Sequence, residues 1–251
     1  MLGFDLALDS RDVAAVGRAL AAGMHVIACT GRPYPGALPW VQKLRLSDPF
    51  VCYQGAQVRT PAGETLLDSG VPHDKAMEVI RFCRERDLHV QAYRDDRLLV
   101  ERDRPEAHQY ARHAGMAIHF VPDLDQAMGR FTPKLVIVAP HAKIEALLPE
   151  VRRRWEGQRY AATSLPDYLE ITNPRADKRK ALEFLSGRLG VNAADAVAVG
   201  DGRNDLPMIE WAGLGVAVEG APPEVLSAAD RVIPRPGSGG IAELVRELVE
   251  E

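Results

Sequence analysis

The chain has 251 residues, of which 46% are hydrophobic and 26% are charged, a composition typical of a soluble globular protein. Its formal net charge of −4 and pI of about 6.0 argue against the basic surface of a nucleic-acid binder. No segment resembles a signal peptide or reaches the length of a membrane span. The three cysteines form neither a disulfide framework nor a CxxC pair. We therefore expect a cytoplasmic protein without a nucleic-acid or membrane partner.

Both ends of the chain alternate between helices and continuous apolar strands, which indicates a parallel sheet covered on both faces. The N-terminal part predicts a helix capped at Asp9-Ser10 and closed by Gly23. It continues with a strand at 25–30, a helix at 36–46 and a strand at 50–53. The C-terminal part predicts helices at 180–189, 206–211, 223–228 and 241–249, with strands at 196–200, 214–218 and 231–233.

The middle of the chain has a different pattern, in which helices are mixed with hairpins. It predicts helices at 74–86, 105–115, 124–129 and 142–155, strands at 117–121 and 134–138, and two hairpins, 88–93 with 97–101 and 159–164 with 168–172. We therefore predict an α/β protein with a doubly wound, Rossmann-like parallel-sheet core formed by residues 1–72 and 175–251. Residues 73–174 are predicted to form an inserted α+β cap domain.

The first candidate motif is Thr30-Gly-Arg-Pro33, which directly follows the predicted strand 25–30. Ligands of open parallel sheets bind outside the carboxyl ends of the strands, so a hydroxyl and a glycine amide at this place suit a phosphate. A plain strand-to-helix turn capped by Thr30 is the alternative interpretation.

The second candidate motif, Gly200-Asp-Gly-Arg-Asn-Asp205, follows the predicted strand 196–200. It brings the carboxylates of Asp201 and Asp205 and the amide of Asn204 within five positions. Mg²⁺ prefers such oxygen ligands. The alternative is an Asx-type turn with Asp205 at a helix N-terminus. The density of polar groups favours the metal site.

The third candidate is Lys178, which lies between the predicted cap and the helix at 180–189. An amine at this place could neutralise a phosphate or an aspartate. Taken alone, Lys178 is better explained as an ordinary surface lysine.

These three motifs, in this order, resemble motifs two, three and four of the haloacid-dehalogenase-type phosphatases. Gly-Arg-Pro after Thr30 and the stretch Tyr53-Gln-Gly-Ala56 are similar to the Cof-like subgroup, which carries a type-two cap. Gln54 departs from the asparagine that is usual in that subgroup. The order of elements in residues 73–174 is also similar to that cap.

The resemblance implies a Mg²⁺-dependent phosphoric monoester hydrolase that acts on a small phosphorylated metabolite, such as a sugar phosphate, through an aspartyl-phosphate. It also implies a cap that closes over the crevice above Thr30 and Asp201. The implied catalytic residues are Thr30, Lys178 and Asp205, the implied substrate-binding residues are Thr30, Gly31, Arg32, Lys178 and Asn204, and the implied metal ligands are Asp201 and Asp205.

The family's first motif, an apolar strand ending in Asp-x-Asp-Gly-Thr, does not occur in the sequence. Alignment on Thr30 would place it just before Met1, so we expect a chain that starts after its nucleophile and is inactive as it stands. In the alternative interpretation the motif has decayed, with Asp5 as a relic nucleophile and Ala7 at the general-acid position. A second functional hypothesis follows, namely a pseudo-phosphatase that binds phosphometabolites without turnover.

Overall fold

The computed structural model describes residues 8–250, without the side chain of Ser164. No helix in this range is long and apolar enough to cross a membrane. The helices are α1 (Ser10–Ala21), α2 (Tyr34–Lys43), α3 (His73–Glu85), α4 (Pro105–Ala114), α5 (Leu124–Ala127), α6 (His141–Arg154), α7 (Lys178–Leu189), α8 (Leu206–Trp211), α9 (Pro223–Ala228) and α10 (Gly240–Glu250). The strands are β1 (Phe50–Cys52), β2 (Gln57–Arg59), β3 (Thr65–Asp68), β4 (Val71–Pro72), β5 (His89–Arg94), β6 (Arg97–Val100), β7 (Ile118–Phe120), β8 (Phe131–Thr132), β9 (Leu135–Val138), β10 (Tyr160–Leu165), β11 (Tyr168–Thr172), β12 (Val197–Gly200), β13 (Leu214–Val218) and β14 (Arg231–Ile233).

The C-terminal strands form a parallel sheet in the order β12-β13-β14, and Val199 pairs with Val216. Their sequences are short continuous apolar runs because helices and loops cover both faces of a parallel sheet. α8 packs on both β12 and β13. The predicted α/β class and the alternation of elements in this part of the chain are therefore confirmed.

The N-terminal strands differ from the prediction in two respects. The segment 25–30 is not a regular strand, and within it Cys29 makes an isolated parallel bridge to Val51. β1 continues through a tight turn into an antiparallel sheet in the order β1-β2-β3, which the sequence analysis did not predict. Within residues 8–250 this sheet and the β12-β13-β14 sheet share no hydrogen-bonded strand. Among residues 8–250, the backbone hydrogen bonds of the segment 25–30 to β1 run from the Thr30 N–H to the Val51 carbonyl and from the Val51 N–H to the Ala28 carbonyl, which is too short a ladder to define a strand. The alternative first motif at Asp5 lies outside the described residues.

The inserted segment forms a six-stranded mixed sheet in the order β10-β11-β9-β5-β6-β7. β5 and β6 form the predicted first hairpin, and β10 and β11 form the second. At the tip of the first hairpin Asp95 and Asp96 have φ values of +49° and +60°. Aspartate tolerates this left-handed conformation better than most residues, and two-residue hairpin turns require it.

The two faces of this sheet contact different parts of the molecule, because side chains along a strand alternate between faces. On β9, Leu135 and Ile137 pack in a core with α3 and α6. Val136 and Val138 face the other way, into a second core that also contains Tyr34 and Phe50 of the N-terminal part. One face of the inserted sheet therefore packs against the N-terminal part of the chain.

The start of α1 carries two carboxylates whose pKa values shift in opposite directions. The hydrogen bonds from Arg11 lower the pKa of Asp9, which caps the helix by accepting from the Arg11 N–H at 2.8 Å. Burial raises the pKa of Asp12, whose side chain is 1% exposed and whose Oδ1 has no hydrogen-bond partner among the described residues.

These shifts predict opposite pH dependences for two otherwise similar substitutions. Asp9, with its lowered pKa, stabilises the fold above its unfolded-state pKa and loses that contribution as pH falls. Asp12, with its raised pKa, destabilises the fold above its folded-state pKa and ceases to do so as pH falls. From about pH 3 to about pH 7, the stability of Asp9→Asn relative to the wild type should therefore fall, and that of Asp12→Asn should rise. Thermal unfolding across this range measures both slopes, and slopes of the same sign would contradict the assignment.

Candidate functional site

The Thr30 loop and the turn after β1 are tied together by backbone hydrogen bonds. The Tyr53 N–H donates to the Arg32 carbonyl at 2.9 Å, and the Gln54 N–H donates to the Thr30 carbonyl at 3.2 Å. Within the Thr30 loop, the Arg32 N–H donates to Thr30 Oγ1 at 3.1 Å. Cys29 and Val51 pair in parallel, so the Thr30 loop and the turn after β1 begin side by side.

Lys178 and Asp205 form a buried ion pair next to these loops. Lys178 is the first residue of α7 and is 5% exposed, and Asp205 is 3% exposed. Lys178 Nζ donates to Asp205 Oδ1. Burial alone would lower the pKa of Lys178, but the carboxylate of Asp205 and the neighbouring Cys29 and Asp201 together raise it above its ordinary value. The lysine is therefore held as a cation inside the protein.

The turn after β12 is folded around the second oxygen of Asp205. Asp205 Oδ2 accepts from the backbone N–H groups of Asp201 at 3.0 Å and Gly202 at 2.9 Å. A Cβ at Gly200 would lie 2.4 Å from the Asp205 Cβ, so the close return of this side chain requires glycine there. The backbone contacts leave the Asp201 side chain exposed at the strand end.

Three consecutive residues after β1 have left-handed backbone conformations. Tyr53 and Gln54 have φ values of +53° and +63°, and Gly55 has +95°. For each non-glycine residue this conformation costs about 1–2 kcal/mol. A Cβ at Gly55 would lie 2.3 Å from the backbone of Asp177, so the turn passes directly against the start of α7. Backbone strain of this kind collects at functional sites, where the surrounding structure holds it in place.

The sequence analysis missed a chain of side chains that crosses from the inserted sheet to the site. Lys134 Nζ donates to the Gly31 carbonyl at 3.1 Å and to Glu170 Oε1 at 2.9 Å. Gln54 Nε2 donates to Glu170 Oε2 at 3.2 Å, and Asn204 Nδ2 donates to Gln54 Oε1 at 2.7 Å. Lys134 is 1% exposed and Glu170 is 7% exposed. Their signal in the sequence was a charged residue within or directly beside an apolar strand.

A second polar contact joins the inserted segment to the core away from this site. Both terminal nitrogens of Arg59 on β2 reach the carboxylate of Asp96 at the hairpin tip, at 3.1 and 3.2 Å. The Arg59 guanidinium also lies 4.2 Å from the ring centroid of Tyr34.

The structure brings six of the seven predicted site residues to this edge through direct contacts. Thr30 and Gly31 lie beside Gln54, which contacts Asn204, while Asp205 joins Lys178 to the turn that carries Asp201. The Arg32 backbone belongs to the same loop, and its side chain lies toward His113 of α4. Burial lowers the pKa of His113, and the cations Arg32 and Lys134 lower it further.

The donor set of this edge does not form a complete metal centre within residues 8–250. No group of three or more His, Cys, Asp or Glu side chains that could hold a metal ion occurs in this range. Both oxygens of Asp205 already accept hydrogen bonds. Asp201 has an exposed carboxylate that is suited to a hard cation. Among the described residues Asp201 therefore offers the exposed carboxylate of this edge, and the buried Asp205 supports the turn behind it.

The fold and the site define an α/β protein with an inserted cap, whose polar groups meet at the carboxyl ends of its apolar segments. The profile of the haloacid dehalogenase-like hydrolases matches residues 5–245, and the chain belongs to this family. This confirms the family and the fold that the motifs predicted.

Individual relatives agree with this assignment. YxeH of Bacillus subtilis (strain 168), named as a candidate phosphatase, is 28% identical over 237 residues, which cover 92% of this chain and 88% of that protein. The HMP-PP phosphatase of Serratia proteamaculans (strain 568) is 28% identical over 81% of this chain and 74% of its own length. The crystal structure of a haloacid dehalogenase-like hydrolase from Bacteroides thetaiotaomicron has a TM-score of 0.89 at 25% identity and covers 98% of this chain and 94% of that one.

Proposed function

We propose that the protein is a Mg²⁺-dependent phosphohydrolase that acts on a small phosphorylated metabolite. The observation that carries this proposal is the buried Lys178–Asp205 pair, which neighbours Cys29 at the start of the Thr30-Gly31 loop and includes the residue next to Asn204. A cation, a hydroxyl and an amide at one sheet edge suit a phosphoryl group. For phosphoryl transfer a protein supplies mainly positioning and charge stabilisation.

Each predicted residue receives a role that its surroundings support. The Thr30 hydroxyl and the Gly31 N–H bind phosphate oxygens, with Asn204 as a further donor and Arg32 at the mouth of the site. Lys178 offsets negative charge, and Asp205 holds Lys178 in place. Mg²⁺ is proposed at Asp201, where the bound ion would neutralise charge on the phosphoryl oxygens. Asp205 is proposed to act behind the ion, where its oxygens hold Lys178 and the backbone N–H groups of Asp201 and Gly202.

We infer that residues 73–174 form the cap and that residues 1–72 and 175–251 form the core. The two connections between them lie side by side, since Asn173 Nδ2 donates to the Gly70 carbonyl at 3.0 Å. Closed over the site, the cap would exclude water and select the leaving group. A relative named as an HMP-PP phosphatase supports a small phosphorylated substrate, and sugar phosphates are the first candidates to test. A cytoplasmic location stays a prediction.

The proposed reaction passes through an aspartyl-phosphate, which requires a nucleophilic aspartate. The string Asp-x-Asp-Gly-Thr is absent from the sequence, and we propose that the nucleophile strand is not part of these 251 residues. The same observation favours a second candidate function, a protein that binds phosphometabolites without hydrolysing them.

One pair of proteins separates the two functions. The first is the chain as given, and the second carries an added N-terminal apolar strand that ends in Asp-x-Asp-Gly-Thr. We expect the extended protein to hydrolyse an aryl phosphate with Mg²⁺ and not with a chelator. Loss of the metal ligand in Asp201→Asn should lower its turnover by about 10²-fold or more.

The matched control is Asp195→Asn, which changes an exposed aspartate just before the amino end of the same strand and should leave turnover unchanged. Turnover that survives in Asp201→Asn would remove Asp201 from the metal site. An extended protein that binds phosphate esters and releases no phosphate would favour the binding function.

A further inference from the structure

The chain Lys134–Glu170–Gln54–Asn204 has a fixed direction of hydrogen bonding. An ammonium group can only donate, and an ionised carboxylate can only accept. Gln54 must therefore turn its Nε2 toward Glu170 and its Oε1 toward Asn204, as the structure shows. Asn204 in turn must present Nδ2 to Gln54. The charge on Glu170 thus determines which end of the Asn204 amide faces Gln54.

The two ends of that amide lie toward different parts of the site. Asn204 Nδ2 faces Gln54, and the Gln54 amide lies directly over Gly31, where an added Cβ would be 2.2 Å from Nε2. Asn204 Oδ1 faces the other way, 2.4 Å from the place of a Cβ on Gly202. The donor end is therefore on the side of the Thr30-Gly31 loop. A phosphate oxygen there would meet an N–H group, whereas the reversed amide would offer it an oxygen.

Gln54 has little freedom to avoid this role. Its backbone N–H is held by the Thr30 carbonyl, and its φ of +63° lies in the left-handed region. Both ends of its side-chain amide are engaged, one with the core and one with the inserted sheet. Because the two ends of one amide have opposite hydrogen-bonding character, the end that faces Glu170 determines which end faces Asn204.

We propose that Glu170 is a positioning residue which, through Gln54, orients the Asn204 amide so that its N–H faces a bound phosphate. This inference rests on the proposed function in that Asn204 is taken to bind phosphate. Because Glu170 belongs to the inserted sheet, the donor is aligned when that sheet lies against the core. Closure of the cap and binding of phosphate are thereby coupled.

Glu170→Gln tests this proposal by reversing the direction of the hydrogen bonds that run from Glu170 through Gln54 to Asn204. Lys134 can only donate, so the side-chain oxygen of the introduced glutamine would face Lys134 and its N–H₂ would face Gln54, which would invert both following amides. We expect inorganic phosphate to bind the 251-residue chain about tenfold more weakly in Glu170→Gln, measured by titration calorimetry. In an Asn204→Ala background the same change should have no effect. Adding Lys134→Met removes the donor that fixes the orientation of the introduced glutamine, so the amides of Gln54 and Asn204 can return to their original orientation and part of the phosphate affinity should be restored. The same change removes the unpaired buried charge.

Asp96→Asn is the matched control, because it breaks the other ion pair between the inserted segment and the core, with Arg59. Any effect of this change on phosphate affinity should be the same in the wild-type background and in the Asn204→Ala background. The proposal is overturned if Glu170→Gln weakens phosphate binding equally in the Asn204→Ala background. It is also overturned if Glu170→Gln leaves the affinity of a phosphate-binding wild-type protein unchanged.

A second readout needs no ligand. The side-chain amide NMR signals of Gln54 and Asn204 should shift together in Glu170→Gln and stay in place in Asp96→Asn. If the wild-type chain binds no phosphate, the proposed function fails for this chain, and these signals alone decide the positioning role. An Asn204 signal that is unchanged in Glu170→Gln overturns it.

Discussion

Asp205→Ala is expected to lower the free energy of unfolding by about 3–5 kcal/mol, the usual cost of removing one partner of a buried ion pair. The substitution leaves the Lys178 ammonium buried without a counter-charge. It also leaves the N–H groups of Asp201 and Gly202 without their acceptor. The turn that carries the proposed metal ligand would therefore lose its support. Urea unfolding followed by circular dichroism measures the change.

Two comparisons show whether burial causes this cost. Lys178→Met should destabilise less than Asp205→Ala, because Asp205 keeps its two backbone donors. Glu183→Ala removes the exposed partner of Arg179 on the same helix and should cost much less than Asp205→Ala, because water screens an exposed pair. Equal costs for Asp205→Ala and Glu183→Ala would contradict the buried pair.

The sequence predicted the parallel C-terminal part of the fold best, because strands that are covered on both faces of a parallel sheet are short, continuous apolar runs. The strands at 214–218 and 231–233 and the helices at 206–211 and 223–228 have the predicted bounds. The segment 25–30 is as apolar as these, and yet it is not a regular strand. A ladder depends on partners elsewhere in the chain, which the local pattern does not contain.

Those residues of the candidate site that lie at the carboxyl ends of apolar segments could be predicted from the sequence. Thr30 and Asp201 follow apolar segments whose carboxyl ends meet at one edge, and the general rule for open sheets places ligands there. Lys134 and Glu170 were missed because their roles depend on contacts across the fold. Glu170 is 116 residues from Gln54 in sequence, and Lys134 is 103 residues from Gly31. A buried charge next to an apolar run indicates such a residue without naming its partner.

The turn after β1 shows the same limit, since Tyr53 and Gln54 are not residues that favour the left-handed region. Their conformation is imposed by the Thr30 loop on one side and by the start of α7 on the other. Gly55 alone carries a local signal, as a glycine three residues after the buried strand β1. Its importance arises from the backbone that passes next to it.

Gly55→Ala is therefore expected to destabilise the protein by about 3 kcal/mol or more. It adds a Cβ in a left-handed conformation and places that atom 2.3 Å from the Asp177 carbonyl carbon and 2.8 Å from the Lys178 nitrogen. Backbone atoms cannot move aside as the end of a flexible side chain can, so the start of α7 must shift. We also expect weaker binding of inorganic phosphate, because Lys178 would move with the helix. Urea unfolding and titration calorimetry measure the two effects.

Substitutions at two other glycines separate the cost of backbone strain from the cost of the close contact with α7. Gly115 has a φ of +66° with nothing within 4 Å of an added Cβ, so Gly115→Ala reports the backbone strain alone, about 1 kcal/mol. Gly17 lies inside α1 with equally open surroundings, and Gly17→Ala should stabilise by about 0.5–1 kcal/mol. Phosphate affinity should not change in either control. If Gly55→Ala costs no more than Gly115→Ala, the turn after β1 does not press against α7, and the strain at Gln54 needs another cause.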